Sequence, residues 1–437
     1  MAAKTLSASG VLYSDRRDFY ISPLVVKELW TSVAPFTTIL ANRGTVTPPD
    51  PTYKMFEHRA TFANQYIKGS AADVVPNDDT GIAISYTAGS INGVSDDSSM
   101  IGLVFEVWDS TKTTNRGRYV VDAWTSTGLM HGKLLGTTAF TCASGDFHIV
   151  VGNAHGEGAS SPEAFADELS VVYNACQIFR TPIEITGTLL QAALRGERNE
   201  LARLRDLKSK EHKMQKESAF LFGSSVAGTG MSGTAFSDTA RTDANSKKIR
   251  TTMGIVTGIE TYGYGRVGSA FTNTTADETK INEFEVVASS YKYSNFVDDM
   301  ELAFQFIPEV GAKTALCGAG AMSYWSKMEA TNGIAGKSGW SVKLSESRPD
   351  ALGFNYRILE TPHGILNLVP APAFKGPRKN QMLILSDENL NLVQYRAPKF
   401  RANIKTDNAP DLVKDEYFSD EGVGYTLIES HKIFNIK

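Results

Sequence analysis

YNACQIFRTPIEITGTLLQAALRGERNELARLRDLKSKEHKMQKESAFLFG, residues 173–223, changes character once and then holds steady. From Val171 to Thr188 the chain is rich in β-branched and aromatic residues, with Pro182 interrupting and Gly187 closing, which predicts an extended strand of the edge type. From Leu189 to Phe220 the single glycine is Gly196 and there is no proline, while Leu194, Leu201, Leu204, Leu207, Met214 and Leu221 recur at three- and seven-residue steps. That spacing predicts one helix of about eight turns at roughly 3.6 residues each. Outside the narrow apolar stripe it is covered in Arg, Lys and Glu. So thin a stripe packs on one neighbour, so the helix is expected to lie as a spine across a sheet with its other arc toward solvent or another chain. On that arc Arg195, Arg198, Arg203, Arg205, Lys208, Lys210, Lys213 and Lys216 outnumber the acids.

A chain of 437 residues exceeds one small core and is expected to hold two to four subdomains. Its formal charge of −4, with 21% charged residues, excludes a nucleic-acid partner recognised through overall basicity, so any DNA contact would be local. Cys142, Cys176 and Cys317 are too far apart for a Cys-x-x-Cys pair, and their odd number points to a reducing compartment. The opening MAAKTLSASG has no apolar core of a signal peptide, and no run approaches the roughly 18 apolar residues of a membrane span. A soluble cytoplasmic product is expected.

Residues 1 to 20 are small, polar and charged, and read as an arm that orders against a partner. A short helix is expected next, capped by Ser22, with Pro23 in its first turn and Val26, Leu29, Trp30 and Val33 on one side, stopped by Pro35. Pro48, Pro49 and Pro51 mark a corner into TYKMFEHRATF, read as a strand. Between Asp79 and Asn153 runs such as ISYTA, MIGLVFEVW, GRYVVDAW and FHIVVG alternate with Gly, Asp, Ser and Asn turns; five short strands suggest an inserted small barrel or sandwich. Ser224 to Asn245 is poor in large apolar residues and reads as a long loop. Thr275 to Glu278 forms a capping box, predicting a helix with Ile281, Phe284, Val287 and Tyr291 on one side. A further segment runs from Met300 to Ile307. TALCG then reads as a buried strand, AGAMSYWSKMEATNG as a helix, and NYRILETP, ILNLVPAP, QMLILSD and LNLVQYRA as strands, so the second half is an α+β body. From Gly422 the chain alternates as one closing strand.

No chemical motif survives inspection. Gly263, Gly265 and Gly268 fit G-x-G-x-x-G, but no buried strand precedes and no helix start follows. Gly336-Lys337-Ser338 lacks the first glycine of a phosphate loop, whose place is taken by Thr331. His58, His131, His148, His155, His212, His363 and His431 show no zinc-binding helical spacing. Gly230 to Thr234 is no nucleophile elbow. Glu57 and His58 point to opposite faces of a strand, and Asp298 with Asp299 reads as a solvated helix face. These residues imply no enzyme, no catalytic residue, no metal and no cofactor.

A strand ending QIFRTPIEITGT, then a charged helix ending ESAFLFG, resembles the major capsid proteins of tailed bacteriophages with the Hong Kong 97-type fold, in the subgroup with a β-rich insertion in the extended loop. The matching positions are Tyr173, Gln177, Phe179, Arg180, Thr181, Pro182, Ile185, Thr186, Gly187, Thr188, Glu200, Leu201, Glu217, Leu221 and Gly223; GNAHGEG at 152–158 resembles the exit from that insertion. The resemblance is strong only from Gly152 to Gly223. It implies an α+β fold with an N-terminal arm and short helix (1–45), extended-loop strands (46–78 and 154–188), the inserted β-rich domain (79–153), a peripheral domain with the spine helix (189–245 and 386–437) and an axial domain (246–385). It also implies copies of the chain joined as hexamers and pentamers of an icosahedral head, a separately encoded scaffolding protein, a portal, a decoration protein and non-specific contact with packaged double-stranded DNA. The resemblance implies, too, that no membrane is involved and that the chain is made in the host bacterial cytoplasm and ends in the virion. Arg180, Glu200, Arg203, Lys210 and Lys213 are the expected subunit-contact residues. The rival readings are a bacterial nanocompartment shell of the same fold, a hydrolase built on the second half, and a carbohydrate reader built on an exposed aromatic platform around Trp108 or Trp124.

Overall fold

The computed structural model describes residues 34–57, 66–87, 94, 97–159, 161, 170–192, 199–225, 242–262, 264–267, 270–271, 281–287, 291, 293–304, 311–331, 348–349, 355–404 and 411–437. The expected arm, the helix capped by Ser22, the capping box at Thr275, the outer glycines at 263 and 268, the Gly336 loop and most of the long loop after the spine lie outside these residues. The described helices are α1 (Pro35–Arg43), α2 (Gly187–Gln191), α3 (Glu200–Phe222), α4 (Ile255–Tyr262), α5 (Tyr293–Phe304) and α6 (Ala319–Thr331). The architecture is a mixed α+β one.

Three sheets carry most of the strands. In a four-stranded sheet, Gln177–Thr186 pairs antiparallel with Leu412–Tyr425, which pairs antiparallel with Leu390–Arg401, and Thr45–Val46 adds a short parallel edge. The helix α3 lies on this sheet, because Phe179, Thr181, Ile183 and Ile185 alternate inward along Gln177–Thr186 while Ile178, Arg180, Pro182 and Glu184 face out. Pro182 sits in the edge strand, where its missing N–H disturbs no central ladder.

A nine-stranded mixed sheet runs from Ala270–Phe271 at one edge to Arg348–Pro349 at the other, with Lys432–Ile436, Gln381–Leu385, Ala312–Cys317 and Gly364–Pro370 at its centre. Its central strands are buried on both faces. Leu316, Leu383, Leu385 and Ile433 face a core shared with Phe36, Leu40, Phe220, Leu221 and Ile259. Their neighbours Ala315, Cys317, Met382, Ile384 and Phe434 face a second core beneath α5 and α6, filled by Trp325 and Phe296.

The third sheet is six-stranded, in the order Tyr66–Lys68, Phe147–Asn153, Leu103–Trp108, Asn115–Ser126, Leu129–Leu134, Ile82–Ser85. Its two edges meet. Gly69 bridges Tyr86, the Ser70 N–H donates to the Ser85 carbonyl at 3.0 Å and the Thr87 N–H to the Lys68 carbonyl at 2.8 Å, so the sheet closes into a small barrel. Ile67, Ile84, Phe105, Val107, Tyr119 and Met130 fill its interior. At Gly132 a Cβ would stand 2.6 Å from Ile84 and 2.7 Å from Tyr119, so that packed interior leaves room only for glycine. A separate two-stranded ribbon, Thr52–Glu57 against Ser170–Ala175, leads into the barrel and back.

Several expectations are corrected. The helix expected over Leu189 to Phe220 is α2 and α3 instead, with residues 193–198 outside the described ones. Its leucine stripe is only in part the buried face: Leu201, Leu204, Leu207 and Met214 are half-buried and Leu221 is buried, but so are His212, Lys216, Glu217 and Phe220, which lie outside the stripe. Val171 to Thr188 is two strands in different sheets, divided at Cys176, whose N–H is taken by the Pro51 carbonyl at 2.7 Å. Pro35 opens α1, a helix not expected from the sequence, because proline's missing N–H costs nothing in the first turn; the helix it was expected to stop lies outside the described residues. Ile281–Val286 is a strand of the large sheet, where burial between neighbours overrides helical spacing. The single closing strand from Gly422 is the end of Leu412–Tyr425 and, after a short turn, Lys432–Ile436.

Candidate assembly surface

The strand LVKDEYFSDEGVGY at 412–425 holds the sheet and the spine helix together through four carboxylates, each nearly or fully buried: Asp415, Glu416, Asp420 and Glu421. The two Asp-Glu pairs stand five residues apart, and the two-residue period of a strand sends one member of each pair to either face. Asp415 and Glu421 face α3. Arg205 donates to the Asp415 carboxylate through Nε (2.8 Å) and a terminal nitrogen (2.6 Å), with the Asn403 N–H donating at 2.7 Å. Lys216 pairs with Glu421 at 2.8 Å inside the protein, and Gln394 donates to the other oxygen at 2.7 Å. Between them His212 bridges Thr181 through Nδ1 (3.0 Å) and Ser419 through Nε2 (3.1 Å), and burial pushes its pKa down to about 4, with Lys216 acting in the same sense.

Glu416 and Asp420 face away from the helix. Arg180 forks onto Glu416, one arm at 3.1 Å, and Arg401 approaches it at 3.7 Å. Arg396 holds Asp420 at 3.0 Å, with Arg250 at 3.7 Å. Phe418, between the two acids, carries Arg396 and Arg401 over its ring at 4.5 and 4.4 Å. A central strand that would otherwise bury four bare charges is thus neutralised by arginines and a lysine from other elements.

Glu217 on α3 is buried with no cation paired to it among the described residues. Its carboxylate accepts from the Phe36 N–H (2.9 Å), the Thr37 N–H (2.7 Å) and the Thr37 hydroxyl (2.6 Å), and so caps the N-terminus of α1 from another helix. Burial raises its pKa while those three donors oppose the rise.

The expected contact residues are not brought together as one patch. Arg180 lies on the outer face of the sheet and is held by Glu416. Glu200 and Arg203 pair with each other across one helical turn, and Lys210 pairs with Asp206. Lys213 is exposed. Asp415, Glu416, Asp420 and Glu421 went unread in the sequence, although DEYFSDEG offered a signal: paired acids at odd spacing inside an otherwise apolar strand demand buried cations. Glu57, read as one of two neighbours on opposite faces of a strand, is buried and accepts the Leu427 N–H at 2.8 Å.

The barrel tryptophans are neither a platform nor core. Trp124 packs half-buried against the barrel interior, and Trp108 is half-buried on the outside opposite Phe147, over whose ring both Lys68 and Lys112 stand at 5.0 Å. Among the described residues no group of His, Cys, Asp and Glu could hold a metal, and no helix is long and apolar enough to cross a membrane. A groove of about 610 Å³ is lined by Ala319, Met322, Ser323 and Ser326 of α6 with Arg357 and Pro370. All three cysteines are free and buried, and burial pushes the thiols of Cys142 and Cys176 up to about 12.

A sequence model of the family described as SU10 major capsid protein matches residues 35–411. The chain belongs to that family. No curated protein matches it. Among solved structures it is similar to the capsid of a native GTA particle (9% identity, TM-score 0.46, 99% of each chain) and to the protein of Mycobacterium phage Bobi (9%, 0.43, 99% of each chain). It is also similar to the SrpI encapsulin of Synechococcus elongatus PCC 7942, at 7% identity and a TM-score of 0.37, over 61% of this chain and 77% of that one. The resemblance to phage major capsid proteins therefore holds, and the chain is a structural shell protein of a virion. The buried ion pairs of Arg205 with Asp415 and of Lys216 with Glu421 tie the spine helix to the sheet.

Proposed function

We propose that copies of this chain join as hexamers and pentamers and tile a closed icosahedral head around double-stranded DNA. The family match over residues 35–411 carries this reading. The two-stranded ribbon supports it: one face packs on this chain through Tyr53, Val172 and Glu57, while the other leaves Phe56 67% exposed, where it suits a neighbour's surface. In this reading residues 46–78 and 154–188 form the extended loop, 79–153 the inserted domain, 189–245 and 386–437 the peripheral domain, 246–385 the axial domain, and 1–45 the arm. Arg180, Glu200, Arg203, Lys210 and Lys213 lie at subunit contacts, and exposed spine cations meet DNA phosphates without reading sequence. Assembly takes place in the host cytoplasm on a separately encoded scaffold, and a portal and a decoration protein complete the head. A protein whose work is tiling needs no catalytic residue.

Electron microscopy of the purified, overexpressed chain tests this directly. Closed shells or flat and tubular lattices of six-fold units are expected. A chain that stays monomeric at every concentration, alone and with its scaffold, overturns it.

A further inference from the structure

The groove of about 610 Å³ beside α6 is built from one arc of that helix and the ends of two strands. Ala319, Met322, Ser323 and Ser326 stand at three-, four- and seven-residue steps, so they share an arc. The adjoining arc is buried, with Ala321 and Trp325 covered by the core beneath. Across the groove Pro370 ends the strand Gly364–Pro370, and Arg357 lies in Asn355–Thr361 on the face it shares with Leu359. Leu359 is buried in that same core, which puts Arg357 on the α6 side of the sheet.

Charge in this groove has one sign. Arg357 and Lys327 line it and are exposed, and among the described residues no carboxylate does. Arg357 has neither a hydrogen bond nor an ion pair among those residues. Glu360, the acid of its own strand, alternates to the opposite face. Two more cations flank the start of α6, where the turn Gly376–Asn380 packs so closely that the Lys379 carbonyl leaves no room for a Cβ at Gly318. Lys375 and Lys379 are exposed there, and neither is paired among the described residues, whereas Arg378 holds Glu260 at 3.0 Å.

Shape and chemistry together select the occupant. The floor is apolar, and the unbranched side chain of Met322 adapts to varied surfaces. Duplex DNA meets proteins through phosphates and base edges and has no apolar side to lay on such a floor. A single strand needs aromatic rings to stack on, and among the described residues none lines the groove. An amphipathic peptide with acidic residues suits both parts, its apolar side on the floor and its carboxylates on the cations. We propose that the groove beside α6 docks an acidic amphipathic segment of another protein, with Arg357 and Lys327 as its carboxylate anchors. The planar fork of Arg357 takes a carboxylate through two parallel N–H donors, and Lys327 adds a point charge. This docking goes beyond the shell reading and does not rest on it, since it concerns a second kind of chain and needs no assembled particle.

Fluorescence anisotropy on the purified full chain tests it, the probe being a fluorescein-labelled peptide of glutamates with leucines along one helical face. Micromolar binding is expected, weakened at least tenfold at about 1 M salt, where the Debye length falls to about 3 Å. The same peptide with glutamine for glutamate should bind at least tenfold more weakly. Arg357→Glu with Lys327→Glu is expected to cost at least tenfold in affinity. Ser326→Trp, which fills the groove and keeps every charge, should do the same, and neither variant should change the unfolding temperature. A wild-type chain that leaves the acidic peptide unbound, or binds the glutamine peptide as well, overturns the proposal. So does full binding in Ser326→Trp, which would place the site elsewhere, or full binding in the charge-reversed variant. Labelled DNA that binds more tightly than the peptide and is lost on the same charge reversal would make this a phosphate surface and equally overturn it. None of these results bears on whether the chain forms shells, which electron microscopy decides separately.

Discussion

Glu217 joins two helices far apart in sequence with one carboxylate. Replacing it by alanine leaves the Phe36 and Thr37 N–H groups of α1 without acceptors, since Ala34 supplies no side-chain cap. A loss of about 2–3 kcal/mol is expected, the scale of hydrogen bonds to a charged group, with Thr37→Val costing about 1 kcal/mol. Urea unfolding of the three proteins checks the ranking, and equal stabilities would refute the cap. The buried histidines give a second residue-scale expectation. Burial pushes His148 and His212 down to about 4 and His431 to about 3. Their folded pKa values lie below the unfolded 6.5, so the unfolded chain binds more protons between those limits, and stability present above about pH 6.5 is lost as pH falls toward 4. His148 alone accounts for at most about 3 kcal/mol of that loss. Unfolding temperature should fall steadily from pH 7 to pH 4.5, and the slope should shrink in His148→Gln; a flat profile would refute the assignment.

At the scale of elements, the strand Leu412–Tyr425 is where the helix and both sheet neighbours are tied. Glu421→Gln leaves Lys216 as a buried ammonium without its anion, and a cost of about 3–5 kcal/mol is expected. Lys216→Met combined with Glu421→Leu removes both charges and should recover most of that loss, because the pair's own net contribution is small beside the penalty of orphaning either member. Chemical denaturation of the single and double variants decides it: a double variant as unstable as the single one would show that packing, not charge, sets the cost. The spine helix is also fixed by a close approach at its end. A Cβ on Gly254 would stand 2.5 Å from the backbone of Leu221, so α4 starts directly against the last turn of α3.

For the whole molecule, the shell reading makes the outlying segments parts of an interface rather than of a core. Deleting residues 1–20 is expected to lower particle yield severalfold while leaving the monomer's unfolding temperature unchanged, and equal yield in negative-stain images would count against it. Most strands of the second half were legible because their sequences combine apolar runs with turn residues; Ala312–Cys317, Gln381–Leu385 and helix α6 all stand where the sequence puts them. Ile281–Val286 misled because its apolar spacing suits a helix as well as a strand, and only parallel pairing with Lys432–Ile436 decides between them. The candidate surface was legible only in part. Arg180 could be chosen from its motif, but its partner Glu416 lies 236 residues away.

By itself the sequence determined the family, the α+β class, the charged spine and the lack of catalytic motifs, because these depend on local pattern and on residue types at short spacing. Only the tertiary structure decided which face of the spine is buried, that the six short strands close into a barrel, and that four acids of one strand meet cations from other elements. Those outcomes are fixed by burial and charge pairing between segments far apart in the chain, where local spacing holds no information.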